Sequence, residues 1–576
     1  MKINLKSFLV LALSLSSLVP LHAQEASAKK TKKSKNAEYN TNRLFIEGQR
    51  YLIQEDLDKA YFYFQKARDL SPEQGAINFK IAEILLRANK TDQAMGYGMK
   101  AVAADPSNKY YNLMMAEVYS KKNQPKKAAE ILEGLMSNSE ENQNYILDLA
   151  SLYLTANDFD NALKALDRAE DYYGVVEQLT VQKQRIFLRK NDLNSAIQEG
   201  EKLIASSPGN SQYVLNLVEI LFNNGRTAEA IATVESSLLN YPNQPDLQLA
   251  AYALYKEKGD IDTAEDLISA AFDNPDLEGQ VKAQAFADIL QEPKTQRRER
   301  LLSKLEETMI LHHPNDADIL TVLGDKRLFE GIKVEALNLY KKSLQLNPSN
   351  AQVLQGVITI MFEVEKDHLE TEKYTVMAVD EFPEKAEFWF FDGTVKSLLK
   401  KGDEAEESLL KAIETNNGKN KAFELAINGQ LGDTYHMSGK KEAAYAVYEK
   451  VLKAKPDDEH VLNNYAYFLS LDKKDLDKAK SMSEQLVKRF PKNATYLDTH
   501  AWVLFQRGEY ESAKTFMERA LENEANPSGI MFEHFGDILY HLGKKSEAVQ
   551  YWKKAEGGDD TTAVLTRKIK DQKYYE

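Results

Sequence analysis

Residues 425–458 read LAINGQLGDTYHMSGKKEAAYAVYEKVLKAKPDD, and two later stretches repeat their plan: ATYLDTHAWVLFQRGEYESAKTFMERALE at 494–522 and MFEHFGDILYHLGKKSEAVQYWKKAE at 531–556. Each places a small residue in an apolar stripe (Gly432, Ala501, Gly536) and a large one three positions on (Tyr435, Leu504, Leu539). An alanine follows nine beyond that (Ala444, Ala513, Ala548), then a bulky residue and a small or aliphatic one at +4 and +7: Tyr448 and Val451, Met517 and Ala520, Trp552 and Ala555. Spacings of three, four and seven share one helix face. The pattern predicts two helices per unit, whose axes come close where the small residues lie.

The same clock runs from residue 41. Gly48, Ala82, Ala116 and Ala150 are 34 apart, and so are Ala60, Ala94, Ala128 and Ala162. Tyr51, Leu85, Tyr119 and Tyr153 accompany them, and Pro72 and Pro106 stand where a second helix should stop. RANKTD, KKNQPK and TANDFD supply the turns between helices. A fifth unit, 177–210, holds Gln184 at its small-residue site and is weaker by pattern. Ala196, Ala230 and Ala264 then restore the interval. Residues 276–316 break it: QEPKTQRRERLLSKLEETMILHHPND has helical spacing but no matching alanine. This segment is expected to be a degenerate unit with a long or irregular connection. Regular units return at 317 with Gly324 and Ala336, followed by Thr371 in an alanine place, then Gly393 and Ala405.

The pattern resembles the tetratricopeptide repeat, which carries a small residue at position 8, alanines at 20 and 27, and often proline at 32. Over 41–556 the resemblance implies an all-α, right-handed superhelical solenoid of tetratricopeptide helical hairpins. The expected organisation is an N-terminal array over 41–275 of about seven repeats, the degenerate segment 276–316, and a C-terminal array over 317–556 of about seven more. Residues 557–576, with TAVLTRKIKDQKYYE, are expected to form a capping helix, because the last repeat would otherwise leave its apolar side in water.

Composition narrows the function. The chain has 576 residues, too many for one ordinary core, and no cysteine, which removes disulfides, thiol nucleophiles, thiolate metal sites and cysteine lipidation. A net charge of -14 opposes nucleic acid as a partner. Residues 1–23 read as a secretory signal peptide: Lys2 and Lys6, a mostly apolar run Phe8–Val19, then Leu21-His22-Ala23 before Gln24. Residues 24–40, rich in lysine, are expected to be a disordered leader. No transmembrane segment is expected once the signal is removed.

Stacked hairpins make a concave wall of first helices, suited to peptides or helices of another protein rather than to a closed reaction chamber. Positions flanking the small residues give a candidate protein-binding surface: Asp433, His436, Asn463, Tyr467, Asp498, Trp502, Phe505, Asp537 and Tyr540. Aromatics beside carboxylates and amides can anchor and orient a partner, or can pack between adjacent helices. Asp498 and Glu533 stand where a clamp for a C-terminal carboxylate would need lysines. His500 and His534, 34 apart, would stack on neighbouring helices, but no zinc-binding helical pair occurs and packing is the expected role. Neither a phosphate-binding loop nor a nucleophile elbow is present. No catalytic residue, cofactor or metal is expected. VLNNYAYFLS and the two later phrases are similar to those of exported tetratricopeptide proteins of the Bacteroidota, which implies a non-catalytic scaffold or adaptor of the bacterial cell envelope. Related-looking outer-membrane scaffolds are anchored through a cysteine that this chain lacks, so a periplasmic place, with any peripheral envelope association made through a partner, is the expectation. The alternatives are an enzyme or enzyme subunit with a site in 276–316, and a purely structural spacer.

Overall fold

Helices of 13 and 14 residues alternate through most of the chain, and the residue that turns the first helix of most pairs into the second is dictated by backbone chirality. The computed structural model describes residues 32–138, 140–558 and 560–576. Among them stand 31 α-helices in consecutive pairs and no strand. The signal-like segment 1–23 lies outside the described residues. The first helix, Lys32–Ile53, begins inside the stretch read as a leader, so helical backbone reaches upstream of residue 41. The chain divides into two compact units, one ending at Ala264 and the other starting at Glu265. Each is an all-α succession of helical hairpins. No helix of the described residues is long and apolar enough to cross a membrane.

In the first unit the turn residues Asn89, Asn123, Asn157, Asn191, Gly225 and Gly259 are 34 apart, and every one has positive φ. A left-handed residue just past a helix lets the next N–H reach back to a carbonyl of the last turn. Lys90 N thus donates to Leu85 O at 2.8 Å, and Asp158 N to Tyr153 O at 2.8 Å. Asparagine and glycine tolerate that conformation best. The second unit does the same at Gly331, Gly439, Gly508 and Gly543, but uses lysine at Lys366, Lys400 and Lys473.

Within a hairpin, a site on the first helix faces one 16 residues later on the second, and the two share one volume. A Cβ on Gly432 would lie 2.4 Å from the Tyr448 ring, and one on Gly536 2.4 Å from Trp552. The fifth hairpin, weak by pattern, reverses the order. Gln184 on its first helix fills the space above Gly200, where a Cβ would lie 2.8 Å from Gln184 Nε2, and that amide donates to Ala196 O at 3.2 Å. The large and small partners have changed places with the volume conserved.

Residues 276–316 are a hairpin too, of Gly279–Leu290 and Gln296–His312. The expected long or irregular connection is short, spanning 291–295. No left-handed residue closes it. Arg298 instead donates to the end carbonyls Ile289 O (3.0 Å) and Leu290 O, and Thr295 caps the second helix. The side chain adds to the backbone bonds from Gln291 N to Ala287 O and from Glu292 N to Ile289 O.

The core is a succession of clusters. In the first unit one gathers Leu52 to Val118 and the next Ala116 to Ile186; in the second, successive clusters include 336–388, 444–503 and 487–565.

Candidate functional site: the first-helix face of the C-terminal hairpins

Four first helices, Lys421–Met437, Glu459–Leu471, Ala494–Gln506 and Gly529–His541, carry three parallel series. Three positions before the small residue stand Gly429, Asn463, Asp498 and Glu533. One after it stand Asp433, Tyr467, Trp502 and Asp537, and four after it His436, Ser470, Phe505 and Tyr540. All nine residues chosen from the sequence belong to these series.

The structure corrects how open this face is. Asp433, Asn463, Asp498, Trp502, Phe505 and Asp537 are buried, and His436, Tyr467 and Tyr540 are half-buried. The face closes on itself because each first helix supplies a ring or a carboxylate that its neighbour needs. The His534 ring stacks on Trp502 at 3.9 Å while its Nδ1 sits 3.0 Å from Asp498 Oδ1, and Trp502 stacks in turn on Phe505 at 4.7 Å. Tyr467 comes within 6.2 Å of the His534 ring, two hairpins further on. His436 stacks on Phe468 at 3.9 Å and meets Asp472 at 3.0 Å. Asp433 accepts from Tyr448 Oη and from Asn464 Nδ2 at 3.0 Å, with His460 Nε2 at 2.8 Å.

The last layer comes from the chain's own end. Lys568, in the short helix Leu565–Asp571, places Nζ 2.9 Å from Glu533 Oε1 and 2.7 Å from Asp537 Oδ2. Thr562 N donates to Glu533 Oε2 at 2.8 Å. Burial alone would raise the Glu533 carboxyl; Lys568 and Thr562 outweigh it and hold it below the usual range. Burial wins at Asp537, pushed up to about 6 although Lys568 and the Trp552 N–H both serve it. Tyr574 lies 4.7 Å from the His541 ring and 6.1 Å from Phe505. Two polar atoms in these series remain without a hydrogen-bond partner though buried: Trp502 Nε1 and Asn463 Oδ1.

His500 and His534 do not stack. The interval between small residues is 35 here, so His500 is one before Ala501 and His534 two before Gly536, about 100° apart around the helix. His500 turns instead to Ser483 Oγ at 2.8 Å and to the edge of Phe516. Among the described residues no group of three or more histidines and carboxylates could hold a metal ion. In the 276–316 hairpin, fully buried Lys282 donates to Asn274 O at 2.9 Å, its amine pushed down by burial, and nothing opens it to a substrate.

Family models of the tetratricopeptide repeat match residues 51–118 and 187–255, and a further one matches 425–458. These are tetratricopeptide repeats. No curated protein matches the chain. Solved structures similar to it include a tetratricopeptide repeat protein from Parabacteroides merdae, 16% identical, covering 44% of this chain and 98% of its own, with a TM-score of 0.38. Yeast Tom70 is 14% identical over 75% of this chain and 95% of its own, with a TM-score of 0.34. The Cut9–Hcn1 hetero-tetramer of the APC/C is 12% identical over 94% and 98%, with a TM-score of 0.29. Tetratricopeptide repeat proteins bind protein partners.

The equivalent positions of the first unit differ. Leu147, three before Ala150, is 43% exposed where Asp498 is 8% exposed. Phe222, four after Val218, is 42% exposed where Phe505 is 4% exposed. Arg185, one after Gln184, and Glu219, one after Val218, are exposed as well. Sequence reasoning passed over these residues because it took its face positions from the C-terminal repeats alone. Their signal was a large apolar residue at a face position without a matching aromatic one repeat on.

Proposed function

We propose that this protein is a non-catalytic interaction scaffold of the bacterial cell envelope, exported to the periplasm, and that partner proteins dock on the first-helix face of its N-terminal repeats. The supporting observation is the exposure of Leu147, Phe222 and Arg185 at positions whose C-terminal counterparts are packed away. Exposed large apolar side chains and an exposed arginine on one helix face suit a protein partner, since apolar anchors and arginine are what interfaces bury. Export is supported by the charged start, apolar run and small residue ending at Ala23.

The test is capture from envelope extract with the mature chain, compared with Leu147→Ala/Phe222→Ala. The expected result is a partner held by the wild type and lost, by about ten-fold or more, from the variant. Equal capture by both would remove the N-terminal face from the proposal. Sequencing the N-terminus of the exported protein checks the location, with Gln24 expected as the first residue.

A further inference from the structure

The C-terminal segment 560–576 is held on the first-helix face of the last hairpins. Of its residues only Leu565 and Lys568 are buried. A full repeat helix does far more, as Ala494–Gln506 shows with ten buried positions. Leu565 and Ile569 join the apolar cluster of the last hairpins, and the rest of the fastening is polar and aromatic: Lys568 on Glu533 and Asp537, Thr562 on Glu533, Tyr574 against His541 and Phe505, and Glu576 paired with Lys473. It joins the last repeat helix through Gly557, which is left-handed at φ +89° with open space around it, and Gly558, which packs on the Gly529 backbone. The segment also serves its site incompletely, for Trp502 Nε1 and Asn463 Oδ1 stay buried and unpartnered on the same face.

We propose that residues 560–576 are a self-supplied, displaceable ligand of this face. When they lift away, Glu533, Asp537, Trp502 and Phe505 receive a partner polypeptide that presents a lysine to the two carboxylates and a tyrosine to the rings. The proposal rests on the reading of the protein as a scaffold and adds the chemistry of a second partner site. Charge complementarity identifies the occupant. Glu533 and Asp537 sit together in a water-poor place and require a cation between them. The occupying segment meets that need with one ammonium, and the ring of its Tyr574 lies 5.2 Å from the same nitrogen. A partner with a carbonyl for Trp502 Nε1 would satisfy an atom the tail leaves bare, and so would compete with it.

Two measurements on the full chain decide. In hydrogen exchange of the wild type, amides of 565–571 should exchange at least about a hundred-fold faster than those of 531–539, showing that the tail opens while its repeat stays closed. Equal rates would make the segment a permanent cap and overturn the proposal, whether or not envelope extract yields a partner. Second, a labelled peptide of residues 560–576 should bind the full chain carrying Lys568→Ala and Tyr574→Ala at least about ten-fold more tightly than the wild type, whose own tail competes. The same peptide with Lys568→Ala should lose that binding. A peptide that binds both chains alike, or binds without its lysine, refutes the assignment even if the N-terminal face captures a partner. A wild type that sediments as a dimer, and as a monomer once 560–576 are removed, gives the place to a second copy and refutes the partner. Binding of the peptide with no envelope partner found would instead leave this site standing and remove the scaffold reading.

Discussion

At the scale of single residues, the hairpins are held by exchange of volume between two sites 16 apart, and the exchange can be tested by reversing a sign. A Cβ on Gly48 would lie 2.8 Å from Phe64, with only side-chain atoms in the way. Gly48→Ala gains about 1 kcal/mol of helix propensity and loses about 1–3 kcal/mol to overpacking. In the wild type it should therefore destabilise by about 1 kcal/mol, whereas after Phe64→Leu it should stabilise by a similar amount. Denaturant melts of the four proteins close that cycle, and a penalty that persists in the leucine background would show that the backbone, not the ring, sets the distance. The turn residues give a second case. Lys400 is exposed and left-handed at φ +60°, a conformation that costs an ordinary residue about 1–2 kcal/mol. Lys400→Gly should raise stability by about 1 kcal/mol, read as slower exchange in Ala386–Leu398 and Gly402–Asn416. The left-handed asparagines at 34-residue intervals were legible in the sequence as plainly as the alanines. A period search on small core residues does not see them, because they lie outside both helices.

At the scale of the element, sequence reading located hairpins better than faces. Helix spacing and the 34-residue clock are local properties, and both survive in the structure. Which first-helix positions meet solvent is set by the next hairpin but one, as the approach of Tyr467 to His534 shows, and no single repeat encodes that distance. His500 illustrates what such closure does to chemistry. Burial first, then the nearby Lys480 and Arg519 cations, press its imidazole down to about 4 against the pull of Glu484 and Glu509. Its folded pKa thus lies below the unfolded value near 6.5, so the unfolded state binds the proton more readily. Stability from this site is complete above pH 6.5 and is lost as pH falls toward 4. Between pH 7 and pH 5 the loss should be about 2 kcal/mol for the adjoining helices Leu476–Arg489 and Ala494–Gln506. His500→Gln keeps a hydrogen-bonding group near Ser483 and should flatten that dependence. Exchange rates in Leu476–Arg489 at the two pH values check it, and an unchanged slope would place the responsible group elsewhere.

For the whole molecule, a chain with successive cores has no single unfolding event for a substitution to act on. Met517 is fully buried in the cluster that runs from Val487 to Leu565, and its neighbours are the hairpins on either side. The cluster around Ala336 to Phe388 belongs to the same unit but shares no member with it. In a nearest-neighbour solenoid the loss of one contact is felt by adjoining repeats and fades beyond them. Met517→Ala should cost about 2–5 kcal/mol where it acts, because a buried side chain of that size leaves a cavity. Hydrogen exchange should accelerate across 494–555 and stay unchanged within 336–388, and a urea melt should gain a step at lower denaturant than any in the wild type. Uniform acceleration through both clusters would mean that the unit folds as one cooperative body. The tail would then be part of that body, and exchange at 565–571 would follow the repeats instead of leading them.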